Sequence, residues 1–393
     1  MTHRDEIEAV LSALISINTA NPPGNEEAMA LYIRDYLLNE GAREQDFHLL
    51  RHSEGRASMV FCLSGRNPEI TLGFVGHLDT VPSGNAADWQ SDPFRPVQRG
   101  GFFYGRGAAD MKGGLTAMIG LCLRYLRKGP PPVNLRCFFT ADEEAAGSGI
   151  RSLREAHWLD HLSFLVVCEP TDGHPGICEK GLGWYDFTIR GKTSHASMPE
   201  EGINSLELGW EYLREIKKEI AALPGENPLL GRSTCSVTQC SGGVKINVIP
   251  DKADFSADIR YIPQTGPAGD GVEEIFRNIA AEYERKHPGL SIHWNCRDRR
   301  AALESDTGHP AVAWFIKSRR EEAGKQSTGL YYFTDASLVI PYYPELPFVI
   351  LGPGCPGECH CPNEKIAVES IEEAIGCYCR FVEQIRPEWF LRN

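Results

Sequence analysis

Apolar residues recur at Ile7, Val10, Leu11, Leu14 and Ile15, the i, i+3, i+4 spacing of an amphipathic helix. The pattern stops at the turn-rich NTANPPGN. Asn25 reads as the N-cap of a second helix over Glu26 to Glu40, with Gly41 placed to close it in a left-handed conformation. Three short apolar runs follow at wide intervals, Ile70 to Val75, Leu135 to Phe139 and Phe164 to Cys168, with a helical stretch Leu115 to Arg127 between the first two. Strands alternating with helices predict an α/β fold with a mostly parallel sheet covered by helices on both faces.

Near Gly181 the texture changes. A strand-like stretch in WYDFTIRGKTSHAS, a helix near Ile203 to Ile220, strands Cys235 to Gln239 and Asp254 to Tyr261, a helix near Val272 to His287 and a strand near Leu290 to Trp294 follow in turn. This β-α-β-β-α-β order is that of the ferredoxin-like split unit. The predicted division is therefore a discontinuous domain of residues 1–179 and 298–393, interrupted by an inserted α+β domain of residues 180–297. Hinges are expected at Cys178 to Gly183 and at Trp294 to Asp298. The helix-like Val312 to Glu322 and the strand-like Phe348 to Leu351 return to the first domain. A chain of 393 residues has room for two such units.

Composition narrows the class. With 42% hydrophobic and 24% charged residues the chain is ordinary for a globular protein, and its formal net charge of -13 argues against a nucleic-acid partner. No apolar run reaches the roughly 20 residues needed to cross a bilayer, and MTHRDEIEAV lacks the basic-then-apolar pattern of a signal peptide. A cytoplasmic enzyme with no membrane partner is the expectation. The 13 cysteines are odd in number and scattered, which predicts reduced thiols and no disulfide framework.

The chemistry sits in a few stretches: His77 in GHLDT, Asp110 in GRGAADMKGG, Glu143 and Glu144 in TADEE, Glu169 in CEPT and His360 in ECHCPNE. His77, the Glu143–Glu144 pair and Glu169 each follow an apolar run, and ligands of open α/β sheets bind beyond the carboxyl ends of the strands. Asp110 belongs to a glycine-rich loop entering a helix. Together these side chains suffice for two divalent ions sharing one carboxylate, which points to metal-assisted hydrolysis. Singly, each has a plainer reading: His77 as a core histidine, Glu143 and Glu144 as a solvated pair, Asp110 as a helix cap. Cys355, Cys359 and Cys361 read as thiols packed beside His360, with a separate structural zinc site as the alternative.

Taken in order, HLDT, GRGAADMKGG, TADEE, CEPT, GKTSHASMP, NVIPDKADFSADIR, FTDA and GPG with HCPNE resemble the co-catalytic zinc hydrolases. That family includes acetylornithine deacetylase, succinyl-diaminopimelate desuccinylase, aminoacylases and glutamate carboxypeptidase. The resemblance runs from His77 to Glu364. It implies two Zn2+ per subunit, replaceable by Co2+, with His77 and Glu169 on one, Glu144 and His360 on the other, and Asp110 bridging. It also implies a cis Asp110–Met111 peptide, a hydrogen bond that Asp79 accepts from the far nitrogen of His77, and Glu143 as general base. His195 would stabilise the oxyanion from a partner subunit, which makes the inserted domain the interface of a homodimer. Arg260, Asn247, Gly354 and Thr334 would hold a small amide substrate, Arg260 pairing with its carboxylate. The plainer readings are a loop histidine at 195 and a structural ion pair at Arg260. Phe333 departs from the family, many members having Gly there. The implied activity is hydrolysis of an N-acyl amino acid, with aminoacylase, dipeptidase or glutamate-type carboxypeptidase as the alternative. A non-catalytic binding protein of the same fold is the contrasting class; retention of every ligand and of the base argues against it.

Overall fold

The computed structural model describes residues 3–266, 269 and 271–390. They form two compact units, one of Met1–Ile177, Ser305–Thr328 and Thr334–Asn393, the other of Cys178–Glu304 and Gly329–Phe333. These bounds differ from the expected 180–297. The last long strand of the second unit runs on to Arg300, and Leu303 and Glu304 pair with Glu179 and Cys178, which carries the unit to Glu304.

In the first unit the helices α1 (His3–Ser16) and α2 (Glu26–Asn39) precede the strands β1 (Phe47–Ser53), β2 (Arg56–Leu63) and β3 (Asn67–His77). Next come α3 (Gly113–Lys128), β4 (Val133–Thr140), β5 (Phe164–Val167), α4 (Pro310–Ala323), β6 (Phe348–Ile350) and α5 (Val368–Gln384). The sheet runs β1-β2-β4-β3-β5-β6. It is mixed: β4, β3, β5 and β6 are parallel, whereas the hairpin β1–β2 joins β4 antiparallel. From Ile70 to His77 every residue of β3 is buried, as a strand covered on both faces requires. Leu11, Leu14, Leu115, Ile119, Ile371 and Tyr378 are among the core side chains that α1, α3 and α5 contribute. Because the four parallel strands point the same way, their carboxyl ends open on one edge of the sheet.

Gly41 takes the left-handed conformation expected of it, φ 101°. Asn25 does not cap α2 through its side chain, which donates instead to the Asn18 carbonyl at 3.3 Å.

The second unit has the ferredoxin-like order. Its antiparallel sheet reads Thr234–Gly242, Lys252–Tyr261, Gly181–Arg190, Ser291–Arg300. Helices Ser205–Ala222 and Val272–Lys286 supply Tyr212, Leu213, Ile216 and Phe276 to a core with Phe187, Ile189 and Phe255. Among the described residues no helix is long and apolar enough to cross a membrane.

Candidate metal centre

His77 is the last residue of β3 and is 2% exposed. Its Nδ1 lies 2.9 Å from the Asp79 carbonyl oxygen, a bond that makes Nδ1 the donor and turns Nε2 towards the acids, as a metal-ligating nitrogen would be. Nε2 stands 3.0 Å from Asp110 Oδ1 and 3.7 Å from Glu169 Oε1. The far nitrogen is thus held by the backbone of Asp79 and not by its carboxylate, whose Oδ1 is 3.8 Å away. That carboxylate is committed elsewhere: it accepts from the amides of Glu143 at 3.1 Å and Glu144 at 3.2 Å, and from Asn21 Nδ2 at 2.9 Å.

Asp110 lies in the turn Ala108–Lys112 at the entry to α3, and the Asp110–Met111 peptide is cis. Its second oxygen, Oδ2, is 3.3 Å from His360 Nε2, which in turn is 3.1 Å from Glu144 Oε1. One carboxylate therefore meets a different histidine at each oxygen.

Glu143 and Glu144 leave the end of β4 after Asp142, whose backbone is left-handed at φ 67°. Three donors hold Asp142 there: Asn21 Nδ2 and Arg56 Nη2, each at 3.0 Å, and the Ser148 amide at 3.2 Å. Glu26, fully buried, balances Arg56 with Nε 2.9 Å from its Oε2. Asn21 thus ties Asp142, which precedes Glu143, to Asp79, which accepts from the Glu143 and Glu144 amides.

The donors are short of positive charge. Burial pushes Glu169 well above the usual carboxylate range against the pull of His77, and the charges of Asp110, Asp335 and Glu144 push the same way. Glu144 is raised by burial and by the Asp110 charge. Burial opposes ionisation of Asp110 too, yet hydrogen bonds from His360 and His77 hold it below its ordinary value. His360 is pushed up to about 10 by its bonds to Asp110 and Glu144, and His77 is raised by Glu169 and Asp110 despite its burial. Clustered carboxylates stabilised only by protons on their neighbours are the electrostatics of a site built for cations.

The donor set fits divalent metal. Ligand atoms of His77, Asp110 and Glu144 lie within 4.8 Å of one another, and so do those of His77, Glu143 and Glu169. Two ligands each about 2.0–2.2 Å from a tetrahedral zinc stand about 3.4 Å apart, which the 3.0 to 3.7 Å spacings around His77 and His360 match.

The first unit brings together His77, Asp110, Glu143, Glu144, Glu169 and His360, with Asp79 behind them. Gly354 packs beside the same loop, where an added Cβ would lie 3.1 Å from the Ala109 carbonyl oxygen. Thr334 is buried and its hydroxyl accepts from the Ala336 amide at 3.2 Å, capping its own turn. His195, Asn247 and Arg260 belong to the second unit. His195 is exposed on the short strand paired with Val248–Ile249, its Nδ1 2.8 Å from Ser197 Oγ. Asn247 is exposed and accepts from the Ala196 amide. Arg260 forks onto Asp258 at 2.8 and 3.0 Å, and Phe333 lies 5.8 Å from its guanidinium and 4.1 Å from that of Arg300.

Sequence reasoning gave no role at the site to Asn21 in the turn-rich NTANPPGN, to Glu26 at the start of the second helix, to Arg56, to Asp142 in TADEE, or to Glu364 in HCPNE. The paired acids and amide of NTANPPGN and TADEE were the available signal.

The profile of Peptidase family M20/M25/M40 matches residues 73–384. A probable succinyl-diaminopimelate desuccinylase of Staphylococcus aureus is 27% identical over 326 residues, 76% of this chain and 79% of that protein. Among solved structures, a tripeptidase from Staphylococcus aureus superposes with a TM-score of 0.77 at 18% identity over 98% of both chains. A dinuclear metal binding peptidase of Bacillus subtilis does so with a TM-score of 0.67 at 16% identity, over 96% of this chain and 97% of its own.

Proposed function

Because this chain belongs to Peptidase family M20/M25/M40, and so to the metal-dependent amide-bond hydrolases, we propose that it cleaves the amide of an N-acyl amino acid, in the manner of acetylornithine deacetylase or succinyl-diaminopimelate desuccinylase. One observation carries the reading: Asp110 presents Oδ1 to His77 at 3.0 Å and Oδ2 to His360 at 3.3 Å, as a ligand shared by two ions would.

In this reading His77 and Glu169 would hold one Zn2+ and Glu144 and His360 the other, Asp110 would serve both, and Co2+ would substitute. Bound zinc supplies a Lewis acid for the scissile carbonyl and brings the pKa of bound water down towards about 7. Glu143 takes a proton from the attacking water on its carboxylate and returns it to the leaving nitrogen. Its backbone amide is anchored on Asp79, so the base and its neighbour Glu144 share one support. His195 donates a hydrogen bond to the developing oxyanion; Ser197 engages its Nδ1, which leaves Nε2 for the substrate oxygen. Arg260 and Asn247 hold the substrate, Arg260 through its carboxylate. Asp258 already occupies the Arg260 fork, so a carboxylate must share that guanidinium or displace Asp258. A homodimer through the second unit brings His195 to the partner's centre.

A peptidase of the same mechanism is the alternative, favoured by the likeness to the tripeptidase. A panel of N-acetyl amino acids, N-succinyl amino acids and dipeptides separates the two. Turnover of dipeptides with none of the acyl amino acids would reverse the assignment. Glu143→Gln is expected to keep its bound metal and to lose about 10²- to 10⁴-fold in kcat, the usual worth of a general base; full activity in that variant would sink the mechanism.

A further inference from the structure

Glu364 lies four residues beyond His360 and is completely buried. Each of its oxygens accepts two hydrogen bonds. Oε2 takes Arg106 Nη1 at 2.7 Å and the Gly107 amide at 2.8 Å, and Oε1 takes the amides of Ala109 at 2.8 Å and Asp110 at 3.0 Å. The Glu364 carbonyl accepts from the Gly105 amide at 2.9 Å. The loop leading to Asp110 is therefore folded around one side chain. Gly107 permits the turn, with φ 80° and an added Cβ only 2.5 Å from Thr80 Cγ2. Arg106, buried under the ring of Trp89 at 5.2 Å, balances the charge.

The segment from His360 to Glu364 thus grips Asp110 twice. His360 Nε2 meets the carboxylate, and Glu364 meets the main-chain amide. The two metal positions depend on this grip unequally. His77 is anchored by β3 and by the Asp79 carbonyl whether or not the Asp110 loop moves. His360 sits on the very segment that Glu364 ties down, and its side chain is 52% exposed.

We propose that Glu364 is the positioning residue that holds Asp110 as a bridging ligand, and that it governs retention of the ion on the Glu144–His360 side. The inference rests on the two-ion reading above.

The test titrates metal-stripped wild type, Glu364→Gln and Glu364→Asp with Zn2+ by calorimetry and with Co2+ by visible absorption. Gln turns an NH2 towards two N–H donors; Asp keeps the charge facing Arg106 but retracts the carboxylate by one methylene, so it serves if the Gln variant fails to fold. Wild type should take two ions per chain. The folded variants should bind the first within about threefold of wild type and the second at least about tenfold more weakly, with the absorption of the second Co2+ equivalent altered and kcat reduced more than KM. Unchanged binding of both ions by Glu364→Asp would overturn the positioning role. A wild-type protein that binds a single ion would instead overturn the two-ion reading itself.

Discussion

His77 and His360 meet opposite oxygens of Asp110, and without metal both rings are driven towards the protonated form by the acids around them. A raised histidine pKa contributes stability that is fully present below the unfolded value, about 6.5, and is lost as pH rises through the folded value. For His360 that window runs up to about 10. The metal-stripped protein should therefore lose stability in urea as pH rises from near neutrality into that range, whereas the zinc-loaded protein should not, its cations having replaced the protons. The lowered Asp110 pKa acts at the other end, its contribution being lost only in acid. Zn2+ binding near pH 7.5 must accordingly release protons; calorimetry in two buffers of different ionisation enthalpy that found no release would refute this charge assignment. Among the candidate donors, His77, the Glu143–Glu144 pair and Glu169 were legible because each follows an apolar run, and Asp110 and His360 because of the motifs that hold them. Asn21 was not: its partners Asp79 and Asp142 lie 58 and 121 residues away.

The strand ends matter as much as the donors at the level of elements. Glu169 follows β5, and the chain there is pinned by two glycines: a Cβ on Gly114 of α3 or on Gly352 after β6 would each lie 2.3 Å from the Cys168 carbonyl oxygen. On Gly352 it would also lie 2.5 Å from the Glu169 carbonyl oxygen. Gly352→Ala should destabilise the protein by about 1–3 kcal/mol in denaturant unfolding, as overpacking against backbone does. It should also weaken Zn2+ binding through Glu169; wild-type values for both would show that the sheet edge yields freely. The strands β3, β4 and β5 and the helix α3 were predictable from apolar runs and period. The hairpin β1–β2 was not singled out: FHLLRHS mixes polar with apolar residues and none of it is buried, and the buried run Ala57 to Phe61 belongs to β2. Its antiparallel join to β4 makes the sheet mixed.

For the molecule as a whole, the proposed trans role of His195 makes a definite forecast. Inactive Glu143→Gln and His195→Ala proteins, mixed and allowed to exchange subunits, should regain activity, because one site of each heterodimer then has both groups; sedimentation should report a dimer. No recovery after verified exchange would remove His195 from the partner's site. The sequence alone determined the kinds of donor, their order, the helical and strand periods, and the β-α-β-β-α-β order of the second unit, because each of these is written in local spacing or residue chemistry. Tertiary structure alone decided that the Asp79 carboxylate supports Glu143 and Glu144 while its carbonyl holds His77, that Asp110 divides its oxygens between two histidines, and that Glu364 gathers the Asp110 loop. Hydrogen bonds of this kind join residues up to 258 positions apart, and their partners are chosen by distance and angle in the folded chain, which no local pattern encodes.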